Sequence, residues 1–235
     1  MIEENHNTNN VPEIIVGRFM AQVNQEVIFF RLIDEKRLFL KTLIFRKQFF
    51  IDTHKWDMTP KNGLEVDEFD DEDTYYCAIV VAGEVQAMFR ARRCNVPYLT
   101  KVHFEHLLTD VPRLSVDPNK WEISRFGVMK NAKFSGLALY AAMFEFAHRH
   151  NAISLIALAS PQHERLLHRI GIETVRYGPQ VVVGHDRDGQ PIHSCIGEIP
   201  LAAQSSEIIH SVRAHLQNLE IFDATSFERP VRVSA

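Results

Sequence analysis

A cation and two aromatic rings lie close together in the sequence at Arg46, Phe50 and Trp56. Residues of these types can line a cage around a ligand, since a guanidinium binds anions and aromatic faces stack on flat or cationic groups. Each also has an ordinary interpretation: an arginine near a helix end favours the helix dipole, and large aromatic residues usually belong to a core. These positions alone leave both interpretations open.

Acidic residues follow at once, with six between positions 67 and 73 that make a strong local negative field. A solvated loop is the ordinary interpretation of such a run. Arg90 lies inside an otherwise apolar strand pattern. Because a buried guanidinium needs a carboxylate partner, either Glu122 or an aspartate is expected to pair with it.

The last cluster spans Trp121 to Phe126 and contains Glu122, Ser124 and Arg125. Regular alternation along a strand would place Trp121, Ile123 and Arg125 on one face and Glu122 and Ser124 on the other. An ordinary pair of opposite charges at the end of a strand would also explain Glu122 and Arg125.

The elements that position these clusters follow from hydrophobic periodicity. Residues 34–53 have a helical pattern with more than one apolar stripe, so this helix should pack on several sides. A polar loop over 56–74 follows. Two apolar runs within 75–91, separated by Gly83-Glu84, predict a β-hairpin.

The second half of the chain alternates strands and helices. The predicted elements are a strand at 121–129, a largely buried helix at 134–150, a strand at 153–159, a helix from Pro161 to Gly171, a strand at 175–183 interrupted by Gly178-Pro179, a strand at 194–200 and a helix at 205–219. This order favours a mixed sheet with helices on both faces, so the fold class is α/β (α+β). We treat 1–235 as a single domain with a loose tail at 1–12 and a weakly patterned tail at 220–235.

Composition narrows the class of protein. A net charge of −4 argues against a nucleic-acid binder, which usually has a basic face. The three cysteines are widely spaced and odd in number, as expected in a reducing cytoplasm. The first residues have no apolar secretory segment, and no run approaches the roughly 20 apolar residues of a membrane span. We expect a soluble, cytoplasmic protein with no membrane or nucleic-acid partner.

Taken together and in order, the clusters resemble the LuxI-type acyl-homoserine lactone synthases, or autoinducer synthases. The positions that match the family motifs are Arg46, Phe50, Trp56, Asp67, Asp70, Arg90, Glu122, Ser124, Arg125 and Phe126. Residues 164–171 also match the family's Glu-Arg-x-x-x-Arg-x-Gly helix. The resemblance extends from about residue 30 to residue 200.

The resemblance implies a fold similar to the GNAT acyltransferases, a twisted mixed sheet flanked by helices with a V-shaped opening for the acyl carrier. It implies that the amine of S-adenosylmethionine attacks an acyl thioester, and that the methionine carboxylate then displaces methylthioadenosine and closes the lactone, a quorum-sensing signal. S-adenosylmethionine and an acyl-acyl carrier protein or acyl-CoA are substrates, so no cofactor or metal ion is implied.

Roles for single residues follow from the same resemblance. Glu122, acting directly or through water, is the candidate base that takes the proton of the amine. Arg90, Asp70 and Arg125 complete the catalytic set, with Arg90 either orienting an acid or binding the substrate carboxylate. S-adenosylmethionine would be held by Arg46, Phe50, Trp56, Asp67, Asp70 and Arg125.

The acyl donor needs an apolar tunnel and a docking surface. Candidate tunnel residues, each also compatible with plain core, are Met88, Phe104, Phe126, Met129, Leu137, Tyr140, Met143, Leu155, Leu158 and Ala159. Arg165 and Arg169 lie on one helical face and match basic docking positions of relatives, while solvated surface residues are the alternative.

Some positions depart from the family pattern. Ala87 replaces a glycine that many relatives have, and residues 93–95 replace a Pro-Thr-Thr stretch. Ala159 stands where the family often has a threonine linked to 3-oxoacyl donors, so we expect a donor without a 3-oxo group, unless Ser160 substitutes for that threonine.

Three alternative functions also fit parts of the sequence. The first is a synthase that uses acyl-CoA with a branched or aromatic acyl group. The second is a GNAT-like N-acyltransferase for another amine, against which the Arg46–Asp70 set argues. The third is a degenerate binding module, which would have lost one of the key charges.

Overall fold

The structure is a computed structural model that describes residues 24–226. Its strands are β1 (Gln25–Arg31), β2 (Thr74–Val81), β3 (Glu84–Arg93), β4 (Lys120–Val128), β5 (Ser154–Ala159), β6 (Val175–Arg176), β7 (Val181–His185), β8 (Pro191–Pro200) and β9 (Glu220–Asp223). Its α-helices are α1 (Lys36–Arg46), α2 (Leu99–Phe104), α3 (Ala138–Arg149), α4 (Pro161–Arg169) and α5 (Ser206–Arg213). A π-helix, Lys47–Thr53, continues α1.

The strands form one mixed sheet in the order β6-β8-β5-β4-β3-β2-β1-β9, with β7 paired to β8. The central pairs are antiparallel, whereas β4 with β5 and β1 with β9 are parallel. The mixed sheet that the sequence predicts is therefore confirmed.

Helices cover both faces of the sheet. On one face, α3, α4 and α5 pack over a large core that includes Trp121 and Phe146. On the other face, α1 packs over a smaller core around Phe45 and Tyr76. Ten of the twelve residues of α3 are buried, as its apolar circumference predicts.

The predicted hairpin is confirmed as β2 and β3, which pair antiparallel. Its turn is one residue earlier than predicted, because Ala82 and Gly83 take the positive φ angles, 51° and 80°. A two-residue loop with positive φ at both positions matches the twist of the flanking strands.

Other predictions need correction. The sequence did not predict β1, β9 or α2, and α3 begins at Ala138 rather than at Phe134. The prediction that the first helix packs on several sides is wrong, because Leu40 and Ile44 are exposed. The predicted tail at 1–12 lies outside the described residues.

Strands β4 and β5 separate along their length. They pair through only three positions, the last being Glu122 with Ile156. Beyond that point, among the strands that the structure describes, β4 pairs only with β3, and β5 only with β8. The two strands thus diverge and border a cleft, and no other strand among residues 24–226 pairs with the edge of β4 that faces it.

Candidate functional site

Two buried arginines meet two aspartates on the α1 face of the sheet. Arg46, at the end of α1, places Nη1 2.6 Å from Oδ1 of Asp70. Arg90, in β3, places Nη1 2.5 Å from Oδ1 of Asp67 and 3.2 Å from Oδ1 of Asp70. Tyr76 donates its hydroxyl to the same Asp70 oxygen at 2.9 Å. The expected carboxylate partners of Arg90 are therefore aspartates.

Glu65 is part of the same network and was missed by the sequence analysis. Its carboxylate is buried and accepts a hydrogen bond from Nε of Arg46. It also accepts one from Nη2 of Arg125 at 3.0 Å, and the same nitrogen of Arg125 lies 2.7 Å from Oδ2 of Asp67. The ion-pair cluster is defined here as three arginines and three acids: Arg46, Glu65, Asp67, Asp70, Arg90 and Arg125.

The loop that carries the acids is folded around the arginines and is not a solvated run. The backbone N–H of Asp67 donates to Oδ2 of Asp70 at 2.9 Å, and that of Phe69 donates to Oδ1 of Asp67 at 3.0 Å. Glu68, Glu72 and Asp73 of the run are exposed, whereas the side chains of Asp67 and Asp70 are largely buried. The solvated interpretation is thus wrong for Asp67 and Asp70 and fits Glu68, Glu72 and Asp73.

The arginines keep the buried acids ionised. Burial alone would raise the pKa of Asp67, but Arg90 and Arg125 hold that pKa well below its usual value. For Asp70, burial is likewise outweighed, here by Arg46 and then Arg90, and its pKa is lowered. The cluster is therefore a balanced set of fixed charges.

Two N–H donor groups of the ion-pair cluster have no hydrogen-bond acceptor among the described residues. The Nη2 atoms of Arg46 and Arg90 are buried, and neither has a hydrogen-bond partner among residues 24–226. A buried unpaired guanidinium N–H is costly, so such groups in native proteins bind water or a ligand. A carboxylate is the ligand that a guanidinium fork binds best.

The aromatic residues lie beside the end of α1. Phe50, in the π-helix, is buried, and its ring centroid is 4.7 Å from that of the partly exposed Trp56. The backbone N–H of Trp56 donates to the carbonyl of Phe50 at 2.9 Å. Short π-helical segments are frequent at functional sites, because they shift side chains out of the regular helical register.

The predicted alternation along β4 is wrong at Arg125. Met88 pairs with Gly127 and Arg90 with Ser124, so Arg125 and Phe126 together oppose one residue of β3. Arg125 has a φ of 52°, a strained value for a residue with a side chain. This bulge turns the side chain of Arg125 towards Glu65, on the α1 face of the sheet. Trp121 and Ile123 lie on the other face, in the α3-side core.

Glu122 lies on the α1 face, but its hydrogen-bond partners are backbone N–H groups and not Arg90 or Arg125, the partners that the sequence suggests. Its carboxylate accepts hydrogen bonds from the backbone N–H of Thr100 at 2.6 Å and of Leu99 at 3.2 Å, the first residues of α2. Burial is the main cause that raises its pKa. The ordinary interpretation of Glu122 and Arg125 as a pair of opposite charges is wrong, because Arg125 binds Glu65 and Asp67 instead.

Comparison with known proteins identifies the family. The family model of the autoinducer synthases matches residues 31–186. The chain belongs to the autoinducer synthase family. An acyl-homoserine-lactone synthase of Aliivibrio fischeri is 32% identical over 150 residues, which cover 60% of this chain and 76% of the relative.

Solved structures agree with this assignment. TofI in a ternary complex with an inhibitor and MTA has a TM-score of 0.67 at 26% identity, covering 81% of this chain and 99% of TofI. BjaI, a CoA-dependent acyl-homoserine lactone synthase with SAM and isopentyl-CoA, has a TM-score of 0.74 at 18% identity, covering 85% and 93% of the two chains. This autoinducer synthase therefore has the GNAT-like fold of the family. Its family and its acyl-homoserine-lactone synthase relatives make it an acyltransferase.

The predicted tunnel residues of this autoinducer synthase are distributed over three apolar clusters. Phe126, Leu137, Tyr140, Met143 and Leu155 belong to the α3-side core. Others do not join them: Met88 and Met129 pack on the α1 side, and Phe104 and Leu158 pack near α2. Ala159 ends β5 beside the cleft. The acyl role of each remains a prediction.

The predicted docking arginines of the synthase are exposed. Arg165 and Arg169 lie on α4, and neither forms an ion pair with another described residue. Glu164, the expected neighbour of Arg165 on the surface, pairs with Arg176 instead. Both guanidinium groups are therefore free to meet an acidic partner.

Gly127 is required by the packing of Phe49 against the bulge. A Cβ at Gly127 would lie 2.7 Å from the ring of Phe49, closer than real contacts allow. Gly127→Ala is expected to destabilise the protein by about 1–3 kcal/mol and to lower synthase activity about tenfold or more, because the bulge positions Arg125.

Thermal unfolding and product formation measure both effects. Gly136→Ala is the matched control, since a Cβ there meets no atom within 4 Å. A Gly127→Ala protein as stable and active as the control would show that the contact has no role.

Proposed function

We propose that this acyl-homoserine lactone synthase binds S-adenosylmethionine at the ion-pair cluster, with the substrate carboxylate on the free Nη2 atoms of Arg46 and Arg90. The observation that carries the proposal is that neither of these buried donors has a hydrogen-bond partner among residues 24–226, although Nη2 of Arg46 lies 3.9 Å from Oδ2 of Asp67. Asp67 and the rings of Phe50 and Trp56 are suited to the cationic groups and the adenosine. The solved complexes of TofI with MTA and of BjaI with SAM are consistent with such a site.

In the proposed reaction the ammonium of S-adenosylmethionine first loses a proton. Its nitrogen then attacks the thioester carbonyl, the C–S bond breaks, and the thiolate leaves and takes a proton. A carboxylate oxygen next attacks the γ-carbon, and the bond from that carbon to the sulfonium breaks. The products are acyl-homoserine lactone and methylthioadenosine, and the fixed charges of the cluster need no reorganisation.

Glu122 is proposed to accept the amine proton through a water molecule. Its carboxylate is buried and bound to the amides of α2, so a relay fits its position better than direct contact. Burial raises its pKa, which makes it a better base at neutral pH than an exposed carboxylate. The unpaired edge of β4 beyond Glu122 is suited to hold the oxyanion with backbone N–H groups.

No covalent enzyme intermediate is proposed. Cys77, Cys94 and Cys195 are buried and free. Burial raises the pKa of Cys94 to about 12, so its thiol stays protonated and is a poor nucleophile.

The acyl donor is proposed to be an acyl carrier protein, whose acidic surface would meet Arg165 and Arg169 on α4. Coenzyme A is the alternative, since its phosphates also attract arginine. Both donors and S-adenosylmethionine are made in the cytoplasm, the proposed location. Within the described chain, no helix has the length and apolar character needed to cross a membrane.

Arg165→Glu is expected to raise the KM for acyl carrier protein about tenfold, because a reversed charge at the rim weakens electrostatic docking. The KM for S-adenosylmethionine should not change. Steady-state kinetics with each substrate varied in turn measure both constants. Arg37→Glu, an equal charge change on exposed α1, is the control, and an unchanged KM in Arg165→Glu would remove the docking role.

The proposed function is tested with purified protein, S-adenosylmethionine and a panel of acyl-CoA and acyl-carrier donors. Mass spectrometry should detect a species with the homoserine-lactone fragment together with methylthioadenosine in equal amount. Acylation without methylthioadenosine would instead favour a simple N-acyltransferase. Absence of any product over the whole panel would overturn the proposal.

A further inference from the structure

A tyrosine and a histidine form a hydrogen-bonded pair on the α3 side of the cleft between β4 and β5. The hydroxyl of Tyr140, on α3, lies 2.5 Å from Nδ1 of His163, in the first turn of α4. Both rings pack on Phe126 of β4, with centroid separations of 4.7 Å for Tyr140 and 5.5 Å for His163. The pair thus lies beside the part of the cleft where β4 and β5 are no longer paired.

The surroundings of this pair are apolar. Tyr140 and Phe126 belong to the α3-side core together with Leu137, Met143 and Leu155. Phe126 directly follows Arg125 of the ion-pair cluster along the strand. An acyl chain whose thioester lies at that cluster therefore enters the cleft close to Phe126 and the pair.

The pair has hydrogen-bonding capacity left over. If Tyr140 donates to Nδ1, the Nε2–H of His163 is a free donor; with the other tautomer, the hydroxyl of Tyr140 is the free donor. Neither group makes a further hydrogen bond within residues 24–226. One donor is thus available to a ligand in either arrangement.

Both members of the pair are neutral at ordinary pH. Burial raises the pKa of Tyr140, and burial lowers the pKa of His163. A neutral pair in apolar surroundings is poorly suited to bind a charged group or to transfer a proton. It is well suited to a neutral oxygen, such as a ketone or a hydroxyl group.

We propose that Tyr140 and His163 determine acyl-donor specificity by hydrogen-bonding an oxygen substituent at the 3-position of the acyl chain. The inference rests on the proposed function and names its donor class: 3-oxoacyl or 3-hydroxyacyl thioesters. It opposes the expectation drawn from Ala159, because the hydrogen bond comes from α3 and α4 and not from the end of β5.

Three donors of equal length on one carrier test the inference: hexanoyl, 3-oxohexanoyl and 3-hydroxyhexanoyl thioesters. The wild-type kcat/KM for at least one oxygenated donor should exceed that for hexanoyl about tenfold, the effect of one hydrogen bond. Tyr140→Phe keeps the ring on Phe126 and should bring this ratio close to one, and His163→Leu should do the same.

Tyr98→Phe is the matched control, because it removes a hydroxyl that donates to the carbonyl of Ser115 at 2.8 Å, away from the pair. Its ratio should equal that of the wild type. A wild-type ratio near one, or a ratio that Tyr140→Phe leaves unchanged, overturns the inference while the proposed function stands. Absence of product from these three donors and from the whole panel of acyl-CoA and acyl-carrier donors would overturn the proposed function, and this inference with it.

Discussion

Arg90→Ala is expected to reduce product formation by about a thousandfold or more, because two functions are lost together. The variant removes a free donor for the substrate carboxylate and leaves Asp67 and Asp70 with fewer partners in a buried site. Breaking a buried ion pair from one side costs about 3–5 kcal/mol. The midpoint temperature of thermal unfolding and the rate of lactone formation should therefore both fall.

Arg90→Lys separates these two functions. A lysine keeps the charge near Asp67 but lacks the planar fork, so stability should recover further than activity. Arg31→Ala removes an arginine from a partly exposed pair with Asp34 and serves as control, with little change in either quantity. A fully active Arg90→Ala protein would eliminate the role of Arg90 in binding the carboxylate.

Glu122→Gln is expected to lower kcat by about a hundredfold to ten-thousandfold, the range typical of a lost general base. Burial raises the pKa of Glu122, and a base must be deprotonated to act. The wild-type kcat should therefore fall as pH decreases through this raised pKa. The glutamine variant should lose that acidic limb of the profile.

If Glu122 has only a structural role, its substitution should lower stability without changing the pH dependence of kcat. Its carboxylate also holds the first amides of α2, so either variant, Glu122→Gln or Glu122→Ala, lowers stability by about 1–3 kcal/mol whatever the chemical role. A stability loss with an unchanged acidic limb would limit Glu122 to anchoring α2. Glu198→Gln, which removes a buried acid paired with Lys120, is the control for stability without catalysis.

The sequence was sufficient to predict most of the cluster. The resemblance to the family motifs predicts Arg46, Asp67, Asp70, Arg90 and Arg125 as site residues, and the structure joins them in one network. Glu65 was not chosen, because a single acid in a polar loop has no periodic or motif signal. Only the geometry of the loop shows that it lies between two arginines.

The errors have physical causes. Strands β1 and β9 pair with each other in parallel although they lie far apart in the sequence. Local patterning carries little information on such long-range pairing. Regular alternation also failed at Arg125, since a bulge depends on the match between neighbouring strands and not on the composition of one.

The bulge at Arg125 also limits how this gene segment can evolve. The extra residue changes the face of the sheet on which the following side chain lies. Trp121 and Ile123 therefore lie in the α3-side core, while Arg125 contacts Asp67 on the opposite face. A deletion of one residue at the bulge would restore regular alternation, turn Arg125 onto the face of Trp121 and Ile123, and bury its charge in the α3-side core. We expect natural variation in β4 to consist of substitutions, with insertions and deletions confined to the exposed loop at 57–63.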